Sequence, residues 1–210
     1  MNERDYRRDA LRVFFIIYAG AVDFEDDQYP QYDRVFQGES RLQAIDFWVR
    51  YPDYLADEML DQYEGHGNPL TLAQVRRIFD DEEPNLRRLP MLRRYFGAYE
   101  PLDTSLGILK SRGLVLPRTK TSMAGKSSHD FLVGGLAHEK HSEILSAFPM
   151  LDWYRARADL VLAVADGRGG FDLKKRQHSQ KEYHDAQTGD LIPTIAERVL
   201  QRLARLEEQQ

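Results

Sequence analysis

The sequence predicts a mainly helical α+β fold with a winged-helix core, a short two-stranded β wing and additional helices at both ends. Residues 102–112 have helical apolar spacing, and Gly113 directly after them suits the left-handed end of a helix. Two short strand-like runs follow at 114–116 and 129–133, separated by a polar tip over 118–128. A helix followed at once by a polar-tipped hairpin is typical of a winged helix, a module that binds nucleic acid or another protein.

Composition limits the classes to which the chain can belong. With 210 residues and 42% hydrophobic content, it is long and apolar enough to bury a core. The absence of cysteine excludes disulfides, thiol nucleophiles and cysteine metal sites. The most apolar segment, 13–22, is too short to span a bilayer, and 1–12 lacks the charge pattern of a signal peptide. We therefore expect a soluble cytoplasmic protein whose net charge of -5 confines any DNA contact to a local patch.

The segments that precede the winged helix predict buried helices. Apolar residues occupy nearly every face over 11–18, which predicts a first helix inside the domain. The mixture of acidic and aromatic residues over 21–37 predicts an irregular connection. Residues 39–50 have helical spacing, and Pro52 predicts a corner because proline disfavours helical geometry at the preceding residue. Proline also suits a first helical turn, so a second helix is expected over residues 52–63.

Helix and loop signals alternate through the rest of the chain. Thr71 and Gln74 form a capping-box pattern ahead of a short helix, and the charged segment 80–100 predicts a linker. After the hairpin, apolar stripes on either side of Pro149 predict two more helices. The segment 167–190 is rich in glycine, lysine, glutamine and histidine and lacks apolar periodicity, so it predicts an exposed loop.

The last predicted element is an amphipathic helix at the C-terminus. Its apolar face consists of Ile195, Val199, Leu203 and Leu206. Such a face needs a partner surface, which its own domain, a second copy or another protein could supply. The predicted organisation is therefore a helical winged-helix domain over 1–166, an exposed linker over 167–190 and the helix over 191–210.

Three motifs resemble catalytic or cofactor sites, but each lacks a feature that such a site requires. The Gly-Lys-Ser sequence at 125–127 lacks the earlier glycine of a phosphate-binding loop, because Lys120 stands there. His138 and His141 are spaced i, i+3, whereas the zinc metalloprotease helix uses i, i+4, and a core role explains His141. The glycines over 167–170 follow no strand. We therefore expect no catalytic site, metal or cofactor.

A winged helix suggests two binding classes, of which DNA is the first. The helix over 102–112 would lie in the major groove. The candidate phosphate contacts are the basic residues Arg112, Arg118, Lys120 and Lys126. The exposed face of that helix offers few donors for base edges, however. A dimeric transcriptional regulator is therefore the alternative to a module that presents its helix and wing to a protein.

Two motifs carry a resemblance to a known family. The first is GESRLQAIDFWVRYP over 38–52, followed by Leu55. The second is LRRYFGAYE over 92–100, which runs into LGILKSRGLV over 106–115. Together they resemble the middle or accessory components of bacterial three-component ABC-ATPase defence systems, which include the small accessory subunit of Lamassu. The similarity extends from residue 38 to roughly residue 133.

The resemblance implies a non-enzymatic subunit that docks on an SMC/Rad50-like ATPase, near its head or the adjacent coiled coil. Such a subunit would help to couple the sensing of foreign DNA to an effector nuclease, and DNA would be reached through the complex. Six residues of the two motifs are expected either to form a charged structural network or to contact the partner: Arg41, Asp46, Arg50, Tyr51, Arg94 and Tyr95. The C-terminal stripe is a second docking candidate, on the ATPase or on a second copy.

Overall fold

The structure is a computed structural model that divides into two compact units. It describes residues 5–81, 92–94, 97–99, 102–121 and 127–209. Unit 1 comprises Met1–Asp46 and Glu100–Leu173, and unit 2 comprises Phe47–Tyr99 and Lys174–Gln210.

The described chain is mainly helical with a small antiparallel sheet, as the sequence predicts. The helices are α1 (Tyr6–Gly20), α2 (Glu39–Arg50), α3 (Pro52–His66), α4 (Pro69–Asp80), α5 (Asp103–Ser111), α6 (Gly135–Ala147), α7 (Asp152–Ala165), α8 (Gly170–Ser179), α9 (Lys181–Asp185) and α10 (Ala196–Glu207). The strands are β1 (Val22–Asp23), β2 (Tyr32–Phe36), β3 (Leu92–Arg94), β4 (Gly97–Tyr99), β5 (Leu116–Thr121) and β6 (Ser127–Gly134). A 3₁₀ turn over Pro149–Leu151 lies between α6 and α7.

Helix α1 is the centre of unit 1. It begins at an Asp5 cap whose carboxylate accepts hydrogen bonds from the backbone N–H groups of Arg7 and Arg8. The run from Val13 to Ile17 is at most 1% exposed, which confirms the predicted buried helix. Helices α5 and α7 both pack against it.

The sheet of unit 1 has the strand order β1-β2-β6-β5, with all neighbours antiparallel. Strand β2 lies inside the segment for which an irregular connection was expected, so that expectation is wrong. Its register pairs Val35 with Leu132 and Phe36 with Phe131. Because those partners lie almost a hundred residues away, the local pattern of acids and aromatics carries no sign of the pairing.

The hairpin predicted directly after Gly113 is present. Gly113 has φ +68°, and its N–H bonds to the Lys110 carbonyl while the Leu114 N–H bonds to the Leu109 carbonyl. These two bonds form a Schellman motif, which ends α5 and turns the chain into β5. Strands β5 and β6 then pair from Leu116 to Thr121, so the hairpin is longer than its apolar residues indicate.

Unit 2 is built from α3, α4 and α10, which pack together. The cap of α4 is Asn68, whose side chain accepts from the Leu70 N–H, so the capping box expected at Thr71 and Gln74 is not the one used. Within the segment expected to be a linker, β3 and β4 form a two-stranded antiparallel sheet. Strand β3 also bonds to the chain before α10, through the Arg93 N–H and the Asp190 carbonyl at 2.7 Å.

The segment 167–190 contains helices α8 and α9, where the sequence predicts an exposed loop. Its buried side chains are Leu173, Gln177 and Tyr183. Only two of these are hydrophobic and they stand ten positions apart, so the segment shows no helical apolar period. The structure moreover groups the chain from Lys174 onward with Phe47–Tyr99 in unit 2.

Candidate functional site: a glycine-lined cleft around Arg41

A cleft of about 810 Å³ opens in unit 1 between the start of α2, the hairpin and the turn that precedes α8. Its glycines are Gly20, Gly38, Gly167, Gly169 and Gly170. Its polar and aromatic lining includes Arg41, Lys120, His129, Asp130 and Phe171. We call this site the Arg41 cleft.

Two glycines shape the Arg41 cleft by bringing backbone segments together. A Cβ atom on Gly170 would lie 2.5 Å from the backbone nitrogen of Arg41, so the start of α8 lies directly against the start of α2. Gly38 has φ +88°, a conformation that side-chain-bearing residues rarely adopt, and its N–H donates to the Asp130 carboxylate at 3.2 Å. Side chains at either position would therefore disturb the wall of the cleft.

The first four residues of the 38–52 motif line the cleft, and Arg41 is the candidate site residue among them. Its guanidinium carbon lies 5.1 Å from the centre of the Phe36 ring, within cation–π range. Burial lowers the pKa of Arg41, although the side chain remains charged at neutral pH. Within the described part of the chain it has no carboxylate partner. A partly dehydrated cation without a counter-charge attracts an anion or an acidic surface.

Asp46, unlike Arg41, forms a buried ion pair inside unit 1. Its carboxylate accepts from Arg12 Nε at 2.6 Å, and a second Arg12 nitrogen donates to Asp9, also at 2.6 Å. Asp46 is 0% exposed. Burial by itself would lower the pKa of Arg12, but the charges and hydrogen bonds of Asp46 and Asp9 raise it overall. Asp46 is therefore held in a buried ion pair with Arg12, a residue that sequence reasoning missed.

The remaining motif residues belong to unit 2. Arg50 and Tyr51 are buried, and the Tyr51 ring stacks on Phe47 with centroids 4.9 Å apart. Arg94 lies in β3, and Tyr95 lies outside the described residues. Arg50 and Tyr51 therefore cannot touch a partner without local unfolding, which favours the structural role for them.

The basic residues of the hairpin are largely neutralised within unit 1. Arg118, only 11% exposed, pairs with Asp26 at 2.9 Å and lies over the Phe24 ring. Lys120 pairs with Asp130 at 2.8 Å. Arg112 is exposed at the end of α5, and Lys126 lies outside the described residues. Of the candidate phosphate contacts, Arg118 is therefore committed to the protein itself.

The C-terminal stripe is buried inside unit 2. Ile195, Val199, Leu203 and Leu206 are all buried, and α10 packs against α3 and α4. Asp53 of α3 fixes the start of this helix, since its carboxylate accepts from the Ile195 N–H at 2.8 Å. Of the three partner surfaces considered for the stripe, the structure uses its own domain.

A charged network that sequence reasoning missed ties α10 and α8 to α3. Arg202 bonds to Asp57 at 2.9 Å and to Asp61 at 2.7 Å. Arg198 bonds to Asp57 at 3.2 Å, and Arg176 bonds to Glu58 at 2.7 Å. The sequence does contain a signal for this network. Asp57 and Asp61 stand four positions apart on α3, as Arg198 and Arg202 do on α10, so each pair lies on one face of its helix.

The two histidines of α6 contact side chains of unit 1. His138 Nε2 lies 2.8 Å from the Asp33 carboxylate, and its Nδ1 lies 3.2 Å from the Tyr18 hydroxyl. His141 stacks on Tyr18 with ring centroids 3.9 Å apart. Burial, followed by the charge of Arg155, lowers the pKa of His141. Burial therefore disfavours the charged form of the His141 imidazole, which packs against the Phe14, Phe15 and Tyr18 rings of α1.

This arrangement predicts a pH-dependent stability. Because the folded-state pKa of His141 lies below its unfolded value of 6.5, the unfolded chain binds more protons between the two values. The contribution of His141 to the free energy of unfolding is therefore full above about pH 6.5, and it is lost as the pH falls below that value. The pKa of His178 is also lowered by burial, so this residue acts in the same direction.

The variant His141→Gln tests this prediction. We expect it to lose less stability than the wild type between pH 7 and pH 5, as measured by urea unfolding, whereas the exposed His184→Gln control should behave as the wild type does. If His141→Gln lost as much stability as the wild type over this range, the assignment to His141 would be wrong.

The described residues contain neither a cluster of metal-binding side chains nor a helix that could span a membrane. Over these residues, no three histidine, aspartate or glutamate side chains group closely enough to hold a metal ion. Likewise, no described helix is sufficiently long and apolar to cross a membrane. Comparisons with protein-family models, with curated proteins and with solved structures find no match to this chain.

Proposed function

We propose that this chain is a non-enzymatic accessory subunit that docks on an SMC/Rad50-like ATPase. In this role it helps to couple the sensing of foreign DNA to an effector nuclease in bacterial defence. The resemblance of residues 38–52 and 92–115 to such subunits supports the partner's identity. The structural observation that carries the proposal is an exposed apolar corner in unit 1.

The same proposal includes a winged-helix core in unit 1. Helix α1, strand β2 and helix α2 come first in the chain, and α5, β5 and β6 follow. The strand order β2-β6-β5 places the hairpin next to the strand between the first two helices. This order, together with the Schellman turn from α5 into the hairpin, supports a scaffold that presents its surfaces to larger partners.

The apolar corner consists of Phe148 and Met150, which flank Pro149 at the turn between α6 and α7. Their exposed fractions are 55% and 75%. Single exposed hydrophobic residues are common, but two large ones on either side of one proline support a contact with another protein. We assign this corner to the ATPase.

The pairing of the hairpin cations favours a protein partner over DNA bound directly. Arg118 would have to leave Asp26 and the Phe24 ring before it could reach a phosphate. Lys120 is held by Asp130. A regulator that reads operator DNA alone needs such cations free, because phosphate contacts supply most of its affinity.

Co-purification tests the proposal. The tagged chain is co-expressed with an SMC/Rad50-like ATPase encoded beside its gene, and we expect a stable complex. The double variant Phe148→Ser/Met150→Ser should reduce recovery of the ATPase by about tenfold, because buried apolar anchors dominate interface energies. Leu70→Ser, an equally exposed apolar site in unit 2, is the matched control and should leave recovery unchanged.

Two results would oppose this proposal. The first is an ATPase that is not recovered with the wild-type chain. The second is tight, sequence-dependent binding of duplex DNA by the isolated chain at physiological salt, weakened by Arg118→Glu and Lys120→Glu. That pattern would instead indicate a transcriptional regulator.

A further inference from the structure

The rim of the Arg41 cleft carries an exposed aromatic side chain. Phe171 is 80% exposed and is the second residue of α8. It lines the same cleft as Arg41. Because most of its ring surface is open to solvent, Phe171 is available to stack on a planar group bound in the cleft.

Of the arginine and lysine side chains that line the cleft, Arg41 is the one without a carboxylate partner among the described residues. The Asp130 carboxylate is held by Lys120 at 2.8 Å and by the Gly38 N–H. The Glu39 carboxylate accepts from the Gln43 amide at 3.3 Å. His129 Nδ1 lies 3.2 Å from the Thr119 hydroxyl. The planar guanidinium of Arg41, held in place over Phe36, is therefore free to bind an oxyanion with two parallel hydrogen bonds.

We propose that the Arg41 cleft binds a nucleotide, with Arg41 on its phosphate and Phe171 stacked on its base. Arginine and an exposed aromatic ring are the two groups that recognise the phosphate and base of single strands without sequence preference. The volume of about 810 Å³ lies within the range of small-ligand pockets. The glycines let the ligand approach the backbone closely.

This chemistry is shared by a free nucleotide and by one unit of a single strand. An acidic peptide would use Arg41 but would give the planar ring of Phe171 no particular partner. The inference does not require the ATPase of the proposed function, because the site lies within unit 1 of this chain.

Fluorescence anisotropy of fluorescein-labelled dT10 with the purified full chain tests the inference. We expect saturable binding that dTMP displaces. Arg41→Gln and Phe171→Ala should each weaken binding by about tenfold, the scale of one stacked base. Arg41→Gln should also reduce the slope of log affinity against log salt by about 0.7, the value for one phosphate contact on a single strand. Displacement by dTMP at concentrations close to those of dT10 identifies a mononucleotide site, and much weaker displacement identifies a strand site.

Matched variants outside the cleft keep the test specific. Arg7→Gln removes an exposed arginine of α1 in unit 1, and Tyr6→Ala removes another exposed aromatic side chain. Both should bind dT10 as the wild type does. If Arg41→Gln does not fold, Arg41→Lys replaces it, since lysine keeps the charge but loses the planar fork. Absence of binding to both probes, an equal loss in the control variants, or displacement by inorganic phosphate with no effect of Phe171→Ala would overturn the inference.

Discussion

Asp46→Ala is expected to lower the free energy of unfolding by about 3 kcal/mol. The side chain of Asp46 is 0% exposed, and its carboxylate lies 2.6 Å from Arg12 Nε. Removal of one partner leaves the other charge buried with incomplete compensation, which is the most damaging way to break an ion pair. We place the loss at the lower end of the range for buried pairs, because Asp9 still holds Arg12. Urea unfolding followed by circular dichroism measures it.

Two further variants separate the buried charge from simple loss of contacts. Arg12→Met/Asp46→Leu removes both charges and should be more stable than Asp46→Ala, because neither member of this pair is then left charged without the other. Asp152→Ala breaks the exposed pair with Arg155 and should change stability little. An Asp46→Ala protein as stable as the wild type would show that Asp46 is not part of a structural network.

Leu203→Ala is expected to lower the free energy of unfolding by about 2–5 kcal/mol. Leu203 is fully buried on the face of α10 that packs against α3 and α4. Truncation removes apolar contacts and leaves a cavity that the surrounding helices can only partly fill. The measurement is again denaturant unfolding of the purified chain.

The same experiment distinguishes packing of the C-terminal stripe within unit 2 from docking of the stripe on the ATPase. Gln201→Ala lies on the exposed side of α10 and is the control, with no expected change in stability. If Leu203→Ala left the isolated chain fully stable yet abolished recovery of the ATPase, the stripe would be a docking face and its burial in unit 2 would be misassigned.

Sequence patterns predict the elements whose signals are local. The apolar run of α1, the bounds of α2 and the Gly113 turn into the hairpin all follow from side chains within a few positions of each other. The partner of β2 and the helices of 167–190 do not, because the first depends on pairing with a distant strand and the second has few apolar residues. The same reason explains Arg12, whose partner Asp46 is 34 positions away.

The candidate site shows where a linear motif misleads. Arg41 and Asp46 stand in one motif, but five residues along a helix of 3.6 residues per turn place two side chains about 140° apart. Asp46 consequently enters the core, whereas Arg41 lines the cleft. The rest of the cleft comes from segments around residues 20 and 35, from Lys120, and from residues 127–130 and 167–171, which only the folded chain brings together. No spacing in the sequence could reveal that assembly.

Photo-crosslinking within the co-expressed complex tests the docking proposal most directly. A benzophenone amino acid at position 148 places the reactive group on the apolar corner, and the same group at position 70 serves as the control. We predict a covalent product with the ATPase subunit from position 148 and none from position 70. A complex that forms but crosslinks only from position 70, or from neither position, would contradict the assignment of this surface.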